Sequence, residues 1–175
     1  MITKEILKSY DQFLQQRGLQ LEAIIVGGTA LNLLGYISRQ TRDVDIIAPE
    51  LSNELKQASK DFAKITPNLW EDWLNNGPAS LTDILPIGWE NRLQDSFQGK
   101  ALQLKTLGRD DLLKTKLFAY CDRGTDLADC LAMNPSKDEL DDALRWVILQ
   151  DANELWPDHV RNTFADLAKR LSHGS

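Results

Sequence analysis

The sequence predicts an α+β protein with a small mixed β-sheet core, flanking helices and a helical C-terminal half. Three observations predict this fold. Segments with the apolar or alternating character of strands lie in the first 107 residues, for example LEAIIV at 21–26. Residues 3–17 carry apolar side chains at helical spacing. From Arg109 onward, helical patterns follow one another.

The elements are separated by recognisable start and stop signals. Gly27-Gly28 breaks the first strand, and Pro135-Ser136 separates two helices, with Ser136 as an N-cap and Glu139 at the capping-box position. Residues 66–99 contain turn-like prolines and glycines and predict short strands and loops. In chain order we expect a helix at 3–17, strands at 21–26, 42–48 and 101–106, helices at 30–34 and 50–64, and C-terminal helices at 109–121, 125–133, 137–150 and 157–172.

Composition narrows the class of protein. The 175 residues are 42% hydrophobic and 26% charged, which is typical of a globular chain. We expect an αβ core at 1–107 and a helical part at 108–175 that packs on it as one compact unit. No apolar run reaches the length of a membrane span, no signal peptide is evident, and two cysteines are expected as free thiols, so a cytoplasmic location is predicted. The net charge of −6 disfavours a broad nucleic-acid-coating surface.

The segment VGGTALNLLGYISRQTRDVDII contains two features that suit one ligand. Gly27, Gly28 and Thr29 lie between a strand and a helix, where glycines let backbone N–H groups approach a phosphate and Thr29 adds a hydroxyl. Asp43 and Asp45 are two residues apart on a predicted strand and share one face, where a hard cation such as Mg²⁺ would offset their repulsion. Separately, each feature is more often a plain turn or a solvated strand face. Together they predict a metal–triphosphate site and phosphoryl or nucleotidyl transfer.

The pattern GGTAL followed by RQTRDVDI resembles the nucleotidyltransferase superfamily, and RDDLLKTKLFAYCDRGTDLADCLAM at 109–133 is similar to its AbiEii-like group of bacterial toxin–antitoxin and abortive-infection proteins. The resemblance covers most of residues 21–133 and implies a nucleotidyltransferase-like fold. It also implies roles for single residues. The nucleoside triphosphate would be contacted by Gly27, Gly28, Thr29 and Lys116, and Mg²⁺ would be bound by Asp43 and Asp45, with Asp83 as the candidate for the superfamily's third metal carboxylate. Asp129 would act as a base or orient the nucleophile. The arginines that flank the Asp pair, Arg39 and Arg42, would reach phosphate or RNA.

The implied activity is a Mg²⁺-dependent transfer of a nucleoside monophosphate from an NTP to a hydroxyl of a tRNA-like RNA or of a protein. A toxin or phage-defence role with a cognate antitoxin goes with the resemblance. One alternative is a catalytically silent module of the same fold that binds a nucleotide or a protein. A purely structural interaction module is the third reading, and it leaves the glycine turn and the Asp pair unexplained.

Overall fold

A computed structural model describes residues 1–173 and shows the α+β architecture that the sequence predicts. The chain divides into two compact units, Met1–Gly108 and Arg109–Ser175. The first unit contains the helices α1 (Lys4–Gln16), α2 (Gly27–Leu33) and α3 (Asn53–Ile65) and the strands β1 (Leu21–Val26), β2 (Val44–Ala48), β3 (Leu74–Asn75), β4 (Gln94–Gln98) and β5 (Leu102–Thr106). The second contains α4 (Arg109–Arg123), α5 (Leu127–Met133), α6 (Lys137–Ile148) and α7 (Trp156–His173).

The five strands of the first unit form one mixed sheet in the order β3-β2-β1-β5-β4. β1 lies at its centre, antiparallel to β2 and parallel to β5. β3 runs parallel to β2 and places Asn75 opposite Asp45. Because β1 is buried between two neighbours, its sequence reads as a nearly continuous apolar run, and the predicted bounds 21–26 are confirmed.

An aromatic cluster forms part of the core of the first unit. Tyr10 and Phe13 of α1 pack with Phe62 of α3 and with Trp73, and the Tyr10 ring meets the Trp73 ring edge-on at 4.9 Å. Trp73 is fully buried, and its Nε1–H donates to the Ser59 carbonyl at 3.2 Å. These contacts hold the segment that leads into β3 against α1 and α3.

Several boundaries differ from the predicted ones, and the starts of β2 and α3 differ for local reasons. β2 begins at Val44 and not at residue 42, because Thr41 forms an isolated bridge with Ile2 and the Asp43 carbonyl accepts a side-chain hydrogen bond. α3 begins at Asn53 and not at residue 50, because the Ser52 hydroxyl caps the helix by accepting the Leu55 N–H. α2 begins at Gly27 and not at residue 30, so the two glycines are part of the helix.

The helices of the second unit form its own apolar interior. The capping box that the sequence predicts at the start of α6 is present: the Ser136 hydroxyl accepts the Glu139 N–H, and the Glu139 carboxylate accepts the Ser136 N–H at 2.8 Å. Buried apolar side chains line the facing sides of the helices, among them Leu112, Leu117, Val147, Val160 and Leu167. None of the helices within residues 1–173 combines the length and the apolar character of a membrane span.

Candidate active site

Gly27 and Gly28, the first two residues of α2, form the segment called the glycine turn here, and it lies against the Asp45 carboxylate. Gly27 has a φ of 75°, in the left-handed region that glycine adopts without strain. A Cβ atom at Gly27 would lie 2.6 Å from Asp45 Oδ2, closer than real Cβ contacts. Conformation and space therefore both require glycine here. Gly27 and Asp45 are 18 positions apart in the sequence, and the pairing of β1 with β2, which puts Val26 opposite Asp45, brings them together.

Asp43 is held through its backbone by two threonines. The Thr29 hydroxyl donates to the Asp43 carbonyl at 2.5 Å, and it lies 2.6 Å from the Thr41 hydroxyl. A hydroxyl has one proton to donate, so Thr41 is the donor to Thr29. Thr29 is 2% exposed. Its hydroxyl therefore contacts protein groups and fixes the residue ahead of β2. The contact of Thr29 with a triphosphate, which the resemblance implies, stays a prediction.

The two arginines that flank the Asp pair have different surroundings. Arg39 lies beside the glycine turn, with its Nη2 3.6 Å from the Cβ position of Gly28. Arg42 points to the loop before β3, where its guanidinium stacks 4.9 Å from the centre of the Trp70 ring and donates to Asp72 at 3.1 Å. Arg39 is thus the arginine that the structure brings to the turn.

One polar side chain at this site was not predicted from the sequence. Asn75 of β3 donates from Nδ2 to Asp45 Oδ1 at 3.3 Å. Its neighbour Asn76 has other partners: its amide nitrogen donates to the Ile46 and Pro49 carbonyls, and its oxygen accepts the Leu51 N–H. Nothing in the local pattern distinguishes the two asparagines, because the pairing of β3 with β2 decides which of them faces Asp45.

Asp83, the candidate for a third metal carboxylate, lies in the 3₁₀ turn at 79–83 and is exposed. It is not on a strand, and the residue of β3 opposite Asp45 is Asn75. Within residues 1–173 no group of three or more His, Cys, Asp or Glu side chains is arranged to hold a metal ion.

Two carboxylates nevertheless suit Mg²⁺, because this ion is commonly held by one or two carboxylates together with substrate phosphates and water. Asp45 beside the glycine turn, with Asp43 two residues before it in the chain, is a donor set that fits that chemistry. Asp43 and Asp45 are both half-buried, so their oxygens are not sealed inside the core.

The second unit contains a separate buried ionic cluster. Lys116 of α4 donates to Asp129 at 2.7 Å and to Asp126, which precedes α5, at 2.9 Å. Lys116 is 8% exposed and Asp129 is 3% exposed. Asp126 also accepts hydrogen bonds from Arg123 and Thr125. The sequence pointed to Lys116 and Asp129 but not to Asp126, although it lies in the same matched segment.

The pKa shifts in this cluster follow from two opposed causes. Burial favours the neutral form of Lys116, but the hydrogen bonds and charges of Asp129 and Asp126 outweigh it, so the pKa of Lys116 is raised. Burial likewise opposes the charged form of Asp126, but Lys116 outweighs it, and the pKa of Asp126 is lowered. Both groups are therefore charged at neutral pH and stabilise each other.

Comparison with known proteins identifies the family. The model of a family described as "Nucleotidyltransferase of unknown function (DUF6036)" matches residues 4–153. The chain belongs to this family. The match spans both the glycine turn with its Asp pair and the Lys116 cluster, and it confirms the resemblance to nucleotidyltransferases. No curated protein and no solved structure matches the chain.

Proposed function

We propose that this protein is a Mg²⁺-dependent nucleotidyltransferase whose metal–triphosphate site is formed by Asp43, Asp45 and the Gly27-Gly28 turn. The observation that carries the proposal is the contact between Asp45 and Gly27, where a Cβ atom would lie 2.6 Å from the carboxylate. It supports the proposal because a carboxylate that would bind the metal lies beside the backbone of the turn that would bind the phosphates. The Arg39 guanidinium beside Gly28 adds a positive charge for the same anion.

In this reaction the oxygen of an acceptor hydroxyl bonds to the α-phosphorus of the NTP. The bond from that phosphorus to the bridging oxygen breaks, and pyrophosphate leaves with the electron pair. The hydroxyl proton passes to a general base. Bound Mg²⁺ would supply charge neutralisation of the triphosphate. The Gly27-Gly28 turn and Arg39 bind the phosphates, and Thr29 with Thr41 orients Asp43.

The acceptor and the biological role are proposed from the resemblance to the AbiEii-like group. The acceptor is an RNA 3′ end of the tRNA type. The role is that of a toxin or phage-defence protein with a cognate antitoxin. A protein hydroxyl is the other acceptor that the superfamily suggests. The net charge of −6 favours a small, localised contact with an RNA end over an extended RNA-binding surface.

A silent nucleotide- or protein-binding module is the second candidate. It is favoured by the lack of a three-carboxylate cluster in the described part of the chain. The two candidates differ in turnover, so a labelled-NTP transfer assay separates them. Transfer of α-phosphate label to tRNA or to a protein supports the enzyme, and NTP binding without transfer to either supports the module.

The first test is thermal unfolding with each of the four NTPs, with and without Mg²⁺. At a ligand concentration of 100 times Kd, binding stabilises a protein by about 2.7 kcal/mol, or about 5–10 °C in the midpoint for a chain of this size. We expect such a shift with Mg²⁺ for wild type, and its loss in Asp43→Asn/Asp45→Asn.

The matched control is Asp158→Asn/Asp166→Asn, which removes the same charge from surface ion pairs with Arg161 and Arg170 on α7. It should keep the wild-type shift. A Mg²⁺-dependent shift that survives in Asp43→Asn/Asp45→Asn would show that the metal–triphosphate site lies elsewhere.

A further inference from the structure

The two oxygens of the Asp45 carboxylate have different surroundings. Oδ1 accepts the hydrogen bond from Asn75 Nδ2 at 3.3 Å. Oδ2 is the atom that lies against Gly27, 2.6 Å from the position of a Cβ there. With Oδ1 on the side of Asn75, Oδ2 lies on the side of the glycine turn.

The orientation of the Asn75 amide follows from its other partners. The Gly77 N–H donates to Asn75 Oδ1 at 2.7 Å, and only the amide oxygen can accept this bond. The NH₂ group must therefore face Asp45, and it also lies 3.5 Å from the Asp72 carbonyl. A Cβ at Gly77 would be 2.8 Å from Asn75 Oδ1, so the hydrogen bond between them is possible because residue 77 is a glycine.

We propose that Asn75 is the positioning residue of the metal centre: it holds Asp45 through Oδ1 so that Oδ2 is directed at the metal–triphosphate position beside Gly27. This inference rests on the function proposed above. It gives the β3 residue in register with Asp45 the role of a neutral hydrogen-bond donor to that carboxylate.

A neutral donor at this position has a consequence for charge. Asp43 and Asp45 are two negative charges two residues apart, and an N–H that points at Asp45 stabilises its charged carboxylate. A carboxylate at residue 75 would add a third negative charge about 3 Å from Asp45, which is costly without a cation and favourable with one. The amide therefore adds no third negative charge to the two carboxylates of the site.

The test measures the binding of Mn²⁺ alone, without nucleotide, to the 175-residue chain. Bound Mn²⁺ is quantified from the loss of the electron paramagnetic resonance signal of free Mn²⁺. Asn75→Ala removes the donor and should weaken Mn²⁺ binding by about tenfold, the lower end of what loss of a group behind a metal ligand costs. Asn75→Asp should bind Mn²⁺ more tightly than wild type, because it adds a carboxylate. Effects in opposite directions are not expected of a residue that is merely structural.

Asn76 provides the matched control in the same turn. Asn76→Ala loses bonds to the Leu51 N–H and to the Ile46 and Pro49 carbonyls, so it should lower the melting midpoint. It should leave the Mn²⁺ dissociation constant of the folded protein within about twofold of wild type, since none of these partners is a carboxylate of the site.

A metal-free measurement tests the contact itself. Asn75→Asp should melt below wild type, and the exchanged pair Asp45→Asn/Asn75→Asp should melt above Asn75→Asp, because an amide again faces a carboxylate. If the exchange gives no recovery, or if Asn75→Ala binds Mn²⁺ as wild type does while Asp45→Asn does not, the role of Asn75 is refuted and the proposed function stands. If wild type itself binds no Mn²⁺ and shows no NTP shift, both are refuted.

Discussion

Lys116 is the residue whose removal should most disturb the second unit. Its ammonium group is shared by Asp126 and Asp129, and all three groups are largely buried. Lys116→Ala would remove the buried cation that Asp126 and Asp129 share, and breaking a buried pair in this way costs about 3–5 kcal/mol. We expect a correspondingly lower free energy of unfolding in a urea titration at pH 7.

Lys114, two residues earlier on α4, is the control for this prediction. It pairs with Asp142, whose side chain is 62% exposed, so water can solvate that carboxylate once the lysine is gone. The Lys114 side chain is itself 13% exposed, so Lys114→Ala also loses the packing of its stem, and we expect a cost below that of Lys116→Ala. Equal losses in the two variants would contradict the structural role of the Lys116 cluster.

A neutralised cluster separates this structural role from the ligand contact that the resemblance implies. Lys116→Met/Asp126→Asn/Asp129→Asn removes cation and anions together, and such replacements are often neutral for stability. We expect this variant to recover most of the stability that Lys116→Ala loses. If Lys116 binds the triphosphate, the recovered protein should lack the Mg²⁺-dependent shift with NTP. A full shift would leave the cluster with a purely structural role.

At the scale of elements, α1 carries a polar group that its packing does not use. Tyr10 is fully buried, and its hydroxyl has no hydrogen-bond partner within residues 1–173. Burial raises the pKa of Tyr10, so the group stays neutral. Its ring contacts Phe62 and Trp73, so the aromatic contacts, not the hydroxyl, explain a ring at this position.

Tyr10→Phe should therefore stabilise the protein. An unsatisfied buried polar group costs about 1–3 kcal/mol, and this variant removes it while it keeps the ring. We expect the thermal midpoint to rise by at least about 2 °C. Tyr10→Leu, which loses the ring contacts as well, should lower it. A lower midpoint for Tyr10→Phe would show that the hydroxyl makes a stabilising interaction.

Elements were predictable where their own sequence decides them. β1 and the capping box of α6 carry local signals, and both are confirmed. β4 did not stand out within 66–99, because it is an edge strand whose side chains are half-buried or exposed and show no clear alternation. Its position is fixed by pairing with β5, which no local pattern encodes.

The candidate site likewise contains residues that could be predicted from the sequence and residues that could not. Gly27, Asp43 and Asp45 stand out because the chemistry of a metal–triphosphate needs those residue types at that spacing. Asn75 does not stand out, because only the pairing of β3 with β2 brings it to Asp45, which lies 30 positions earlier in the chain. Thr29 was predictable as part of the turn, but the direction of its hydroxyl depends on Thr41 and on the Asp43 carbonyl, which only the folded chain brings together.

For the whole molecule, the pH dependence of stability follows from carboxylates in both units. Asp11 accepts the N–H groups of Ala101 and Leu102 at 2.7 and 2.8 Å, Asp126 accepts Lys116, and Glu139 accepts Arg109 at 2.6 Å. Burial opposes the charge of Asp11 and Asp126, and the hydrogen bonds outweigh it; for Glu139, the bond from Arg109 is the largest cause. The pKa of each of the three is lowered.

A carboxylate with a lowered pKa binds fewer protons in the folded state than in the unfolded state. Its stabilisation is complete above the unfolded pKa, about 4, and is lost as the pH falls through the folded pKa. The raised pKa of Lys116 acts at the other end: its contribution is lost only as the pH rises through that value, above 10.5. We therefore expect a thermal midpoint that is nearly constant from about pH 5 to pH 9 and falls below about pH 4.

Asp11→Asn identifies the contribution of one of these groups. At pH 7 the charged Asp11 accepts two backbone N–H groups and the Gln15 amide, so the neutral variant should melt below wild type. As the pH falls, wild type loses the charge that the variant never had, and the two midpoints should converge toward pH 3. Midpoints that stay equally far apart at pH 3 and pH 7 would mean that packing, and not the charge of Asp11, provides its stabilisation.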